Sequence, residues 1–153
     1  MENSNSSFTL IQKNNDGKYD AYKNHQEALD YQGCEFSFNN IRYIQRTAKT
    51  TPKKIGQFVT LWKRDQRTGE TTPFHHKDNV DYVVIICFKG KKCGRFLFSK
   101  DTLMEKGIIT KNSIKNGKRG FRVYPNWDKP LSKQAIATQR WQSNYFSDHL
   151  TLK

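Results

Sequence analysis

Residues 80–88, VDYVVIICF, form an almost uninterrupted apolar run. A strand with one wet face alternates apolar and polar side chains, whereas a strand without a polar face must be covered on both sides. The run therefore predicts the central strand of a sheet with packing layers above and below it. With 153 residues, the chain is long enough for one domain with a real core and too short for two. Apolar residues make up only 35% of it while aromatics reach 13%, so the core is expected to be compact and rich in rings.

The flanking segments fit that layered picture. From Glu35 the pattern has period two, with Phe36 and Phe38 alternating with Ser37 and Asn39, and Asn39-Asn40 predicts a hairpin turn before Ile41–Arg46. Residues 57–64 (QFVTLWKR) read as one further strand, with Phe58, Thr60 and Trp62 on one face and Val59 and Leu61 on the other. KGKKCG (89–94) turns the chain into GRFLFSK (94–100), a second hairpin. A helix is predicted at 101–107, then a Lys/Asn-rich loop at 111–118, a strand at 120–125 stopped by Pro125, and a terminal helix capped by Ser132 with Ala137, Trp141 and Tyr145 along one face. Residues 25–31 could form a helical turn ending near Gly33, and the polar stretch before it carries only a short Phe8-Leu10-Ile11 patch. Residues 1–34 are therefore expected to be a polar N-terminal arm or docking helix, and 35–153 a single domain. The order predicts an α/β chain of the α+β kind, with a mixed central β-sheet flanked by helices.

Charge is unevenly placed. The chain holds 27 Lys and Arg against 14 Asp and Glu, a net of +13. Residues 1–35 hold three lysines against six acids, so the remaining 118 residues carry a net of +16. Self-repulsion on that scale points to a polyanionic partner, although lysine-rich surfaces also serve solubility. No stretch nears the roughly 20 apolar residues of a membrane span, and the start lacks the charged-then-apolar pattern of a signal peptide. Cys34, Cys87 and Cys93 are scattered, with no CxxC and no histidine at zinc-ligand spacing. A cytoplasmic protein without membrane insertion, structural metal or cofactor is expected.

Two basic runs carry binding chemistry. In KTTPKKIGQFVTLWKR, Lys49, Lys53, Lys54, Lys63 and Arg64 surround a strand bearing Thr60 and Trp62. Cations that meet phosphates beside a ring that stacks on bases are the parts of a single-strand groove. Trp62 as a core residue with a solvated lysine rim is the competing reading. In GKRGFRVYPNWD, Lys118, Arg119 and Arg122 lie on or beside a strand, and period two puts Arg122 with Tyr124 on one face. That pair could grip a phosphate and cover a base, or Arg122 could pair with Asp128 or Asp81. Arg140, on a charged helix stripe with Lys133, is a weaker candidate. A metal-dependent nuclease needs acids gathered on adjacent strands, but among the eight acids after residue 35 only Asp81 enters a likely central strand. No nucleophile triad, phosphate loop or HExxH motif is present.

The segments 48–64, 73–85 (PF…D…DYVVI), 94–100, 117–128 and 133–146 (KQAIATQRWQSNYF) together resemble the MepB family of small bacterial proteins over about residues 35–147. The resemblance implies a restriction-endonuclease-like scaffold of the PD-(D/E)XK type. In that pattern Asp81 matches the first acid and Phe98-Ser99-Lys100 the acid-x-Lys triplet, so Phe98 stands where the second acid belongs. A nuclease scaffold retained for holding nucleic acid, without cleavage, is what the resemblance implies. DNA or RNA, single strands included, is the expected partner, bound mainly through phosphates with weak sequence preference. An active Mg²⁺-dependent nuclease and a basic protein that docks an acidic partner are the alternatives.

Overall fold

The computed structural model describes residues 5–112 and 115–153; the first four residues and positions 113 and 114 of the Lys/Asn-rich loop lie outside the described residues. In chain order, helix α1 (Ser6–Asn14) leads to strand β1 (Tyr19–Asn24), a 3-10 segment at Gln26–Tyr31, and the hairpin β2 (Cys34–Phe38) and β3 (Ile41–Thr47). Short strands β4 (Lys49–Thr50), β5 (Gln57–Thr60), β6 (Trp62–Arg64) and β7 (Thr71–Pro73) precede the long hairpin β8 (Tyr82–Lys89) and β9 (Lys92–Ser99). Helix α2 (Lys100–Glu105), β10 (Gly120–Val123), helix α3 (Lys133–Gln142) and β11 (Phe146–Ser147) follow.

A six-stranded sheet in the order β1-β2-β3-β8-β9-β11 forms the frame. The β3–β8 pair is parallel and its other neighbours are antiparallel, so the sheet is mixed and the fold is α+β, as the element order predicts. Strand β8 lies inside the sheet and feeds two cores. Val83, Ile85 and Cys87 pack with Phe96, Phe98, Val59, Leu61, Phe121 and Val123 on one side. Val84 and Ile86 pack on the other with Phe36, Phe38, Tyr43 and the Phe8 and Ile11 side chains of α1. Each such buried Val or Ile contributes about 1.5–3 kcal/mol relative to exposure. The turn between β2 and β3 has both Asn39 and Asn40 at positive φ (51° and 68°), the geometry that a two-residue hairpin favours and asparagine tolerates.

Three differences from the sequence expectation have clear causes. The described part of residues 1–34 supplies the docking helix α1, one of the two forms expected, but also an unexpected strand: β1 is the edge strand beside β2, and Asn15 ties the end of α1 to the C-terminal tail through Leu150 and Leu152. Strand β1 escapes pattern reading because its central four residues are all exposed. The segment 57–64 is two strands in different sheets; buried Leu61 separates them, and its N–H donates to the Arg119 carbonyl. In α3, Ala137 faces water. The helix is fastened to the end of β10 by two glutamines: Gln142 bonds the Tyr124 N–H and the Arg122 carbonyl, and Gln139 donates to the carbonyls of Tyr124, Pro125 and Asp128. These side-chain amides add to the stripe that periodicity predicts, of which Trp141 and Tyr145 pack on the core beside Phe98.

Candidate nucleic-acid interface

Strand β10 pairs with β5 on one edge, and α3 packs beside it through those glutamines, which leaves a groove of about 360 Å³ between strand and helix. Lys106, Lys118 and Arg122 supply its charge, Phe121, Tyr124 and Trp141 its rings, and no carboxylate lines it. Lys106 extends from the end of α2 and lies over the Trp141 ring, its Nζ 5.1 Å from the centroid. The first turn of α3 opens on the same groove through Ser132, Gln134 and Ala135, and contains no acid. The positive end of the helix therefore adds to the field. A second hollow of about 340 Å³, formed by Thr51–Lys54, shares Arg122 with the groove and also lacks an acid. Arg122 is fixed there by donating to the Thr51 hydroxyl and the Ile55 carbonyl, which holds its guanidinium at the junction.

A larger cleft, about 1100 Å³, lies elsewhere, between the start of β3, the β6–β7 ribbon and the 3-10 segment. It has five cations (Lys23, Arg42, Lys63, Arg64 and Arg67) but also Glu27, Glu35, Asp65 and Asp78. Two of its cations are paired with acids, Lys63 with Asp78 and Arg42 with Glu35, and Glu35 also accepts from His25. Beneath it Arg46 is fully buried, with NH1 donating to His25 Nδ1 at 2.9 Å. That bond requires His25 to keep Nδ1 unprotonated and to donate from Nε2 to Glu35 at 2.8 Å. Burial and the Arg46 charge push the His25 imidazole below its ordinary value. Burial alone would raise Glu35, but the His25 hydrogen bond and the neighbouring positive charges hold it below the usual carboxylate range.

The predicted binding residues divide between these places. Lys53, Lys54, Lys118 and Arg122 meet along the acid-free surface. Lys63 and Arg64 belong to the mixed cleft; Arg64 donates to the Gly69 carbonyl and covers the Trp62 ring, which is therefore not open for stacking on that side. Lys49 rests over Tyr31, 4.6 Å from the ring centroid. Thr60 pairs with Gly120 within the small sheet, and Arg119 is tied to Thr71 by two hydrogen bonds. Arg140 is exposed and lines neither groove nor hollow. Tyr124 corrects the period-two expectation: it is buried and lies against Gly56, where a Cβ would sit 2.7 Å from its ring, so it is a wall of the groove rather than a free stacking platform. Arg122 pairs with neither Asp128, which bonds Lys89, nor Asp81. Lys106 and Trp141 are the groove residues that strand-by-strand reading did not assign to binding. A cation in the last turn of a predicted helix was the available signal for Lys106.

The nuclease-like positions do come to one end of the β8–β9 hairpin, where the Lys100 N–H donates to the Asp81 carbonyl. Their side chains diverge. The exposed Asp81 carboxylate accepts from the Arg42 N–H, and Lys100 Nζ is spent on the carbonyls of His76 and Asp78, 2.9 Å each. Phe98 points into the core, stacked on Phe96 at 5.4 Å and packed against Trp141 at 5.6 Å. Among the described residues no three His, Cys, Asp or Glu side chains gather as a metal site. One carboxylate and an engaged lysine do not fit a divalent cation, which takes several oxygen ligands.

Comparison with known proteins gives a consistent answer. A solved structure, "Crystal Structure of MepB", superposes with a TM-score of 0.82 at 36% identity, covering 96% of this chain and 97% of that one. No curated protein matches the chain. The MepB-like family model matches residues 24–148, which takes in the whole central hairpin, the β10–α3 groove and β3. Sequence and fold together place the chain in the MepB-like family.

Proposed function

We propose that the chain binds nucleic acid, DNA or RNA, through phosphate contacts along the surface formed by Lys53, Lys54, Lys106, Lys118 and Arg122, with weak sequence preference and without cleaving it. The carrying observation is the absence of any carboxylate from two adjoining hollows that five cations line. Unopposed cations are available to displace the counterions of a polyanion, and a binding term of that kind is insensitive to sequence. Trp141 and Phe121 give the groove apolar floor against which a sugar or base can rest. Cleavage is excluded from the proposal because Phe98 takes the place of an acid in the core and Lys100 is committed to two carbonyls. The cytoplasm, where such a partner is plentiful, is the proposed location.

Titrating a fluorescently labelled oligonucleotide at rising salt tests this. Five phosphate contacts to a single strand give a log–log slope of about −3.5. Affinity flat in salt, or no binding at low salt, would refute the proposal.

A further inference from the structure

Resting on that reading of the groove, we infer that Leu131 is a wedge that touches unstacked bases, so that the site selects single strands over duplex. Leu131 is 84% exposed, while the next most exposed large apolar side chain among the described residues, Leu29, is at 44%. Isolated exposed apolar residues are common and by themselves mean little. Three further features distinguish this one. Its backbone is held on both sides: Pro130 precedes it, and Ser132 follows as the cap of α3, with its Oγ accepting from the Ala135 N–H at 3.1 Å and its carbonyl from the Ile136 N–H at 2.9 Å. It adjoins the groove, since Ser132, Gln134 and Ala135 line that groove directly after it. Exposed Lys129 and Lys133 flank it, and the nearby acid, Asp128, is buried and paired with Lys89.

An exposed apolar side chain flanked by two exposed lysines matches a ligand with anionic backbone and apolar faces. Phosphates meet the lysines while a base meets the leucine. In duplex the bases are stacked and reachable only after unstacking; in a single strand the faces are already free. An acidic protein would satisfy the lysines too, and competition with polyglutamate tests it as an outcome that overturns the inference.

The full-length chain is titrated with a labelled single strand containing one 2-aminopurine, and with the same sequence as duplex. Leu131→Ala is expected to weaken single-strand binding about fivefold, to remove the 2-aminopurine fluorescence change, and to leave both duplex affinity and the melting temperature unchanged. Lys118→Glu runs in parallel and is expected to weaken both substrates. Unchanged single-strand affinity in Leu131→Ala, or equal losses on both substrates, overturns the wedge while the groove stands if Lys118→Glu still weakens binding. If Lys118→Glu also changes nothing, the groove reading fails and the wedge with it. Polyglutamate that outcompetes the oligonucleotide, and loses that advantage in Leu131→Ala, assigns the patch to an acidic protein and overturns the inference.

Discussion

The acid-free surface at β10–α3 and the large cleft beside β3 each gather five cations, yet they are electrostatically unlike. In the cleft, Arg42 is matched by Glu35 and Lys63 by Asp78; the first pair ties β3 to β2 and the second ties β6 to the loop before β8. In the groove no carboxylate answers Lys106, Lys118 or Arg122. Exposed ion pairs contribute little to stability, about 0–1 kcal/mol each, but they remove the local field that a polyanion would feel. Under the proposed function, counter-charge rather than size distinguishes the binding face.

The comparison can be broken most sharply by reversing the groove charge. Lys106→Glu combined with Lys118→Glu, both exposed positions, should lower oligonucleotide affinity about 100-fold at moderate salt, with little change in melting temperature. The matched double change in the mixed cleft, Lys63→Glu with Arg64→Glu, should cost less than about threefold by the same measurement. Equal losses from the two variants would erase the distinction. Conversely, stripping counter-charge from the cleft with Glu27→Gln and Asp65→Asn should create weak new phosphate affinity, steepening the salt slope by about 0.7 for each added contact. An unchanged slope would mean that the carboxylates do not mask the cleft.

The cleft side also has a pH signature that the groove lacks. Because burial and Arg46 lower the His25 pKa, the unfolded chain binds that proton more readily than the folded one. Stability contributed by neutral His25 is thus complete above its ordinary value of 6.5 and declines as pH falls below it, toward the lowered folded value. Glu35, also lowered, adds a further loss below its ordinary value of 4.5. Thermal melts between pH 7.5 and 5 should show the first decline, and His25→Gln, whose amide can both accept from Arg46 and donate to Glu35, should flatten it. A wild-type melting temperature constant across that range would contradict the relay. The smallest expected effect belongs to Arg140→Ala, which should leave affinity within about twofold because an isolated exposed cation outside the groove contributes little.

Much of the frame was legible because its signals are local. The apolar run around Val83–Cys87 announces a doubly covered strand, Asn39-Asn40 its neighbouring hairpin, and Ser132 the cap of α3. What was not legible depends on partners distant in sequence. β1 carries no alternation because its register shifts between Asp20 and Lys23, with Ala21 at positive φ, and its central four residues are exposed. β7 hides in a stretch of threonines, since pairing with β6 rather than side-chain pattern makes it a strand. The cations of the two basic runs could not be sorted by environment from the sequence. Lys63 and Lys118 look alike in the sequence, and only the fold supplies Asp78 to one and no acid to the other. Tyr124 follows β10 in the alternation of a strand, but β10 ends at Val123 and the close approach of Gly56 makes the ring a wall. The family resemblance sets Phe98 at an acid's position in the nuclease pattern, and the fold buries that side chain in the core.

Hydrogen exchange of the full chain with and without a single-stranded oligonucleotide tests the central claim most directly. Slowed exchange in residues 51–55, 118–124 and 132–142, with none around 63–67 and 73–78, is the predicted result. Protection confined to the mixed cleft, or spread evenly over the molecule, would contradict it.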